Sequence, residues 1–365
     1  MRKEMLMCAL GALCMAGLTS CENDDPEVKP EVVETLQGLY VINNGNQGGN
    51  IPGSITSYDY AAGKATQDVF YTANGYSIGD MPQSAMVYGS KIYITASKSN
   101  ILWICDAATL KVQGNVRFEG EYSEPRYTTS HDGKVYVSLY SGHVAQIDTL
   151  SLKQDKVIKV GPNPEQMAVA GGKLYVANSD GMNWKGGYTD GYVSVVDLST
   201  MSESRLDIAL NPVEVRSNGS DVVVLCKGDY GAIPSKAYKV TADGGKEICE
   251  ATIISMRGNE LYTINYPYSS DPAKQIKDYE VYSVTTGEKL RDMVKEEVDY
   301  PSGLDVDPAT GNIVILSNTL DASGYAQYKE PCYARIYDNQ GNPLARFETG
   351  VGSTWVAFLH DYTVK

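Results

Sequence analysis

Pro125…Val135-Tyr136-Val137…Ala145-Gln146-Ile147-Asp148 and Pro164…Leu174-Tyr175-Val176…Ser194-Val195-Val196-Asp197 are two copies of one pattern. A proline opens each copy, a short apolar run with Tyr at its centre follows, and an apolar residue with Asp closes it. An earlier copy reads Pro82…Ile92-Tyr93-Ile94…Trp103-Ile104-Cys105-Asp106. Centred on the middle apolar residue, the copies fall at Tyr40, Tyr93, Tyr136, Tyr175, Val224, Tyr262 and Ile315. The intervals of 53, 43, 39, 49, 38 and 53 residues are those of a four-stranded propeller blade. The chain is therefore expected to be all-β, a seven-bladed β-propeller spanning residues 38–365.

In each copy the first strand follows the proline, as in Glu165-Gln166-Met167-Ala168-Val169, and a tight turn such as His131-Asp132-Gly133 or Gly171-Gly172 leads into the apolar run. The closing Asp is suited to start the next turn by accepting backbone N–H bonds. The last copy ends at Phe347, yet Gly352 to Phe358 reads as one more first strand, which the copy at Tyr40 lacks. The C-terminal strand is thus expected to complete the first blade and close the ring, leaving no open sheet edge.

The N-terminus reads as an export signal. Arg2 and Lys3 precede an apolar run from Met5 to Gly17, too short to span a bilayer, which ends in Leu18-Thr19-Ser20-Cys21. This resembles the lipobox of bacterial lipoproteins. The resemblance implies a signal peptide over 1–20, lipidation of Cys21, and a flexible tether over 21–37. The acidic stretch Glu22-Asn23-Asp24-Asp25 is similar to the sorting signal that sends some lipoproteins to the exterior face of the outer membrane.

The net charge of −14 and the absence of a basic stripe argue against nucleic acid. Cys105, Cys226, Cys249 and Cys332 have neither metal-ligand spacing nor clustered histidines, and read as buried thiols. Catalysis has little support. Three histidines (His131, His143 and His360) fall in no Ser-His-Asp or Cys-His order, and no metal or cofactor is expected. Glu165 and Asp305 would suit a lactonase-like metal site on first strands, but Gln83, Arg126 and Val213 hold the comparable places.

In a propeller, the loop after each second strand and the loop before each first strand open on the same face. That face receives Asn43 to Asn50, Asn178 to Asp190, Lys227 to Pro234, Asn265 to Asp278 and Ser317 to Pro331. These loops are long and rich in aromatic and amide side chains, features typical of binding surfaces. The candidate binding residues are Asn44, Asn46, Asn183, Trp184, Tyr188, Tyr230, Tyr266, Tyr268 and Tyr325, with Tyr140 beside them. Gln83, Arg126 and Gln166, at the starts of first strands, are expected to form the floor.

The mature chain resembles the YncE-type seven-bladed propellers over nearly its full length. Its opening Leu39-Tyr40-Val41-Ile42-Asn43-Asn44-Gly45-Asn46 through Gly53-Ser54-Ile55-Thr56-Ser57-Tyr58-Asp59 is similar to the propeller lipoproteins of gut anaerobes, above all the BtuG-like group. That resemblance implies a cell-surface lipoprotein that captures cobalamin (vitamin B12) and delivers it to an outer-membrane TonB-dependent transporter resembling BtuB. Tyr, Trp, Asn and Gln suit a wide, flat, amide-edged ligand of this kind. Glycan binding and protein docking in a nutrient-uptake system remain alternatives.

Overall fold

The computed structural model describes residues 32–271 and 274–364. The signal segment, Cys21 and most of the expected tether lie outside the described residues. Among the described residues twenty-eight strands form seven four-stranded antiparallel sheets. Blade 2 is Pro82–Tyr88, Lys91–Ala96, Ile101–Asp106 and Val112–Arg117; blade 3 is Pro125–His131, Lys134–Leu139, His143–Asp148 and Gln154–Lys159. Blades 4, 5, 6 and 7 repeat the order from first strands at Pro164–Ala170, Pro212–Ser217, Ile253–Arg257 and Tyr300–Val306. The first strands touch their neighbours in sequence order, and Tyr300–Val306 meets Ser353–Val364, so the blades close into a ring.

Blade 1 is the exception in chain order. Its innermost strand is the C-terminal Ser353–Val364, which pairs with Val32–Asn43, followed by Ser54–Asp59 and Lys64–Thr66. Tyr40 lies opposite Ala357, and Ile42 opposite Trp355. The closure expected from sequence is therefore the closure observed. The strand through Tyr40 begins at Val32, inside the segment expected as tether, because Ser353–Val364 runs past the blade and Val32 to Leu36 pair with its last residues. At the end of this ribbon His360 bridges Asp307 of blade 7 at 2.7 Å and Glu34 at 3.3 Å.

Seven apolar clusters lie between the blades, one per neighbouring pair. Leu39 and Val41 pack toward blade 7 with Val314 and Leu316, while Tyr40 and Ile42 pack toward blade 2 with Ile92 and Ile94. Alternate residues of one strand thus enter different clusters. This explains why each second strand is an unbroken apolar run: both faces of its sheet are covered. Tyrosine fits here because its hydroxyl can reach a polar partner beside the core, as Tyr40 donates to the Ala107 carbonyl and Tyr337 to that of Glu296. The closing aspartates start turns as expected. The Oδ1 atoms of Asp106, Asp148 and Asp197 accept the N–H groups of Thr109, Ser151 and Thr200.

Candidate functional site

The loops after second strands and before first strands are joined by a recurring hydrogen bond. Met81, Glu124, Asn163 and Asn211 each precede a proline and hold φ between 51° and 60°. Just before each proline the chain therefore turns through the left-handed region at these four residues. Their carbonyls accept the N–H groups of Ser97, Tyr140, Ser179 and Lys227, which follow the second strands of the same blades. Both kinds of loop therefore share one face, the mouth.

Just inside the mouth, five of the first strands carry a register shift immediately after proline: Pro82/Ser84, Pro125/Thr128, Pro164/Met167, Pro212/Glu214 and Pro301/Gly303. The closing strand has one as well, leaving Thr354 between Ser353 and Trp355. A bulge re-aims the unpaired side chain. The unpaired Gln83, Arg126, Glu165, Val213, Ser302 and Thr354 all line a central cavity of about 310 Å³. A second cavity of about 230 Å³ lies deeper in the channel, and the two share Tyr127, Gln166, Arg216, Asp305 and Trp355 at the waist between them. Gln166 thus sits a layer below Gln83 and Arg126, and Glu165 occupies the position equivalent to theirs.

The cavity interleaves the cations Arg126, Arg216 and Lys227 with the carboxylates of Glu165, Glu214 and Asp305. Arg126 donates to both oxygens of Glu165, at 2.8 to 3.1 Å, and its guanidinium lies 5.0 Å from the Tyr140 ring. Burial pushes the Glu165 carboxyl upward and Arg126 opposes it; for Glu214 burial again dominates, opposed by Lys227 and Arg216. Burial moves Lys227 down, opposed by Glu214. Gln83 donates to the Tyr127 hydroxyl, which burial pushes up to about 12. Three cations among three carboxylates give a polar floor without a lone acidic cluster of the kind a metal ion would need.

The rim is aromatic. Trp184, Tyr230, Tyr268, Tyr325 and Tyr328 are 62%, 65%, 86%, 53% and 57% exposed, and they come from the loops of blades 4, 5, 6 and 7. Tyr188 and Tyr230 meet across two blades with ring centres 5.1 Å apart, and both hold a left-handed backbone, φ 52° and 57°. Non-glycine residues in that region carry strain that is often found at binding sites. The Tyr230 ring is open to solvent, while its hydroxyl turns toward Asn211 and Glu165, where burial pushes it up to about 12. On the far side Tyr266 packs edge-on to Tyr300 at 5.1 Å, and Tyr300 lies 6.3 Å from Tyr328.

Two of the expected amides brace their own loops. The Asn46 Oδ1 accepts the Gly49 N–H, and its Nδ2 donates to the Tyr328 carbonyl, fastening the blade 1 loop to that of blade 7. Asn183 donates to Asp180 and Thr189 within one loop. Asn44 accepts from Thr354 on the closing strand. These contacts place Asn46 and Asn183 as supports of the rim. Gly181 has no room for a Cβ, because the Tyr140 hydroxyl lies 2.6 Å from where one would stand. The 178–190 loop is thereby seated over Tyr140.

Sequence reasoning did not single out Tyr300, Tyr328, Tyr127, Arg216, Lys227, Glu214 or Trp355 as site residues. A usable signal for most of them was position: Tyr127, Glu214 and Arg216 follow the opening proline by two to four residues, and Tyr300 precedes one.

Residues 37–202 match a family model described as a domain of unknown function (DUF5074), covering the chain through blade 4 as far as the turn after its third strand. No curated protein matches the chain. Among solved structures, Kuenenia stuttgartiensis hydrazine synthase is similar with a TM-score of 0.59 and 17% identity, over 78% of this chain and 95% of that one. The β-propeller domain of Myceliophteria thermophila Cps50 (Swd1) gives a TM-score of 0.54 and 10% identity, over 84% and 99%. The structure of U3-55K gives 0.52 and 10%, over 76% and 84%. At these identities the likeness shows the propeller fold alone.

Proposed function

We propose that the mouth is a non-catalytic capture surface for cobalamin, held at the cell surface by a lipid on Cys21 and serving an outer-membrane transporter. The observation that carries this reading is the set of exposed aromatic rings that four blades bring to one mouth. Such rings give large apolar contact with a polar handle, suited to a flat macrocycle with amide arms. By sequence the five long loops after second strands hold Asp180, Asp190, Asp229, Asp271, Asp278, Asp321 and Glu330 against Lys185, Lys227, Lys274, Lys277 and Lys329, a balance of −2.

The cavity of about 310 Å³ is at the low end of small-molecule pockets, so a corrinoid would lie across the rim and send only part of itself inward. A ring closed by strand pairing is preorganised, which limits the ordering cost of binding. Both described chain ends, Val32 and Val364, pair at the end of blade 1 away from Asn43 and Ser353, hence opposite the mouth. An anchor at Cys21 would therefore hold the protein by its back and turn the mouth outward. Gel filtration of the protein with cyanocobalamin tests the reading: red absorbance should co-elute with the protein. Separate elution at micromolar concentrations would refute it and leave glycan binding or protein docking to be tested.

A further inference from the structure

We propose that the floor of the central cavity is an oxyanion site, centred on Arg216 and Lys227, that takes a phosphoester or carboxylate group. The argument rests on donors and acceptors rather than on net charge. Arg126 is held on Glu165 by three hydrogen bonds from Nε and Nη2, so that edge of its guanidinium is already taken. Asp305 accepts from the Ser255 hydroxyl and the Val306 N–H. Arg216 is different. Its Nε donates to the Ile254 carbonyl, but among the described residues no acceptor takes a hydrogen bond from its terminal nitrogens; the nearest carboxylate, on Glu214, stands at 3.8 Å.

Lys227 has one acceptor, the Thr252 carbonyl, for an ammonium that carries three donors. Both cations line the cavity, and only 16% of the Arg216 side chain is exposed. The Arg216 fork borders the cavity, where the oxygens of an entering anion can take its N–H groups. Two oxygens of a carboxylate or phosphoester in the cavity would fill the fork with two parallel bonds. The guanidinium is pinned in place by Trp355, whose ring centre lies 5.3 Å away, and by the Nε bond. The fork is therefore preorganised. The group it takes can be a free anion or the anionic arm of a larger molecule lying on the rim. In cobalamin that arm would be the phosphodiester of its nucleotide tail, which cobinamide lacks.

Calorimetry on the wild type, Arg216→Gln and Lys227→Gln distinguishes these sources, with inorganic phosphate, ribose 5-phosphate, cobalamin and cobinamide as probes. Melting curves confirm that each variant is folded. If the site takes free anions, phosphate or ribose 5-phosphate should bind the wild type and lose roughly tenfold or more in either variant. If it takes an arm of the rim ligand, the free anions stay silent, and the variants lose that factor for cobalamin with little change for cobinamide. Anion binding without any corrinoid binding would uphold this site while refuting the capture of cobalamin. Two results would overturn the oxyanion site: no probe binding at all, or variants that weaken cobalamin and cobinamide equally or not at all with the free anions silent.

Discussion

Replacing Trp355 by Ala should weaken ring closure. Trp355 lies on the closing strand opposite Ile42, packs into the cluster between blades 1 and 2, and donates from Nε1 to the buried Ala85 carbonyl at 2.7 Å. Its ring also meets Tyr127 at 5.4 Å and Arg216 at 5.3 Å across the channel. Truncating a fully buried Trp costs about 3–5 kcal/mol, and Trp355, partly buried beside the channel, should lose somewhat less. The orphaned Ala85 carbonyl adds about 1 kcal/mol or more. Trp355→Phe keeps most of the ring and loses the bond, so it should cost about 1–2 kcal/mol. Urea unfolding followed by far-UV circular dichroism would measure both, taken from the midpoint if the slope is unchanged. The reasoning fails if Trp355→Ala lies within about 0.5 kcal/mol of the wild type, the range of an ordinary surface substitution. It also fails if Phe and Ala are equally damaging, because packing would then not be the cause.

At the rim, Trp184→Ala, Tyr230→Ala and Tyr268→Ala should each weaken cobalamin by roughly 2 kcal/mol, about thirtyfold, at the best-placed positions, while His131→Ala in a hairpin of the other face leaves calorimetry unchanged. Acid should loosen the turns capped by aspartate. The hydrogen bonds of Ser199 and Thr200 lower Asp197 from 3.8 to about 2, so its stabilisation is present above the unfolded value and is lost as pH falls through the folded one. Melting temperature should therefore drop between about pH 4 and pH 2, and drop less in Asp197→Asn. Burial pushes the thiols of Cys105, Cys226 and Cys249 up to about 12, so a thiol reagent at pH 8 should leave them unmodified until the protein unfolds. Changing Cys21 to Ala should move the protein from the membrane fraction to the soluble one, as immunoblotting of the fractions would record.

The ring was legible in the sequence because its physics is local and repeated. Val135-Tyr136-Val137 is apolar at every position since neighbouring blades cover both faces of the sheet. Asp148 and Asp197 announce turns that they cap themselves. The fragment around Trp355 was recognisable as a first strand without its blade. The site was legible only as a set of loops. Arg126 and Glu165 are 39 residues apart, and Arg216 meets Trp355 from the far end of the chain. No periodicity signals such pairs, since they exist only when the ring is closed and the bulges turn those side chains inward. Asn46 looked available for ligand because a sequence does not reveal that its amide is held by Gly49 and Tyr328.

Amide hydrogen exchange on the mature protein, with and without cobalamin, tests the central claim most directly, since it asks whether binding occurs and on which face. The account predicts slowed exchange in the loops at 178–190, 227–234, 265–278 and 317–331, and unchanged exchange in the hairpins at His131-Asp132-Gly133 and Gly171-Gly172. Protection confined to those hairpins, or none anywhere at saturating cobalamin, would contradict it.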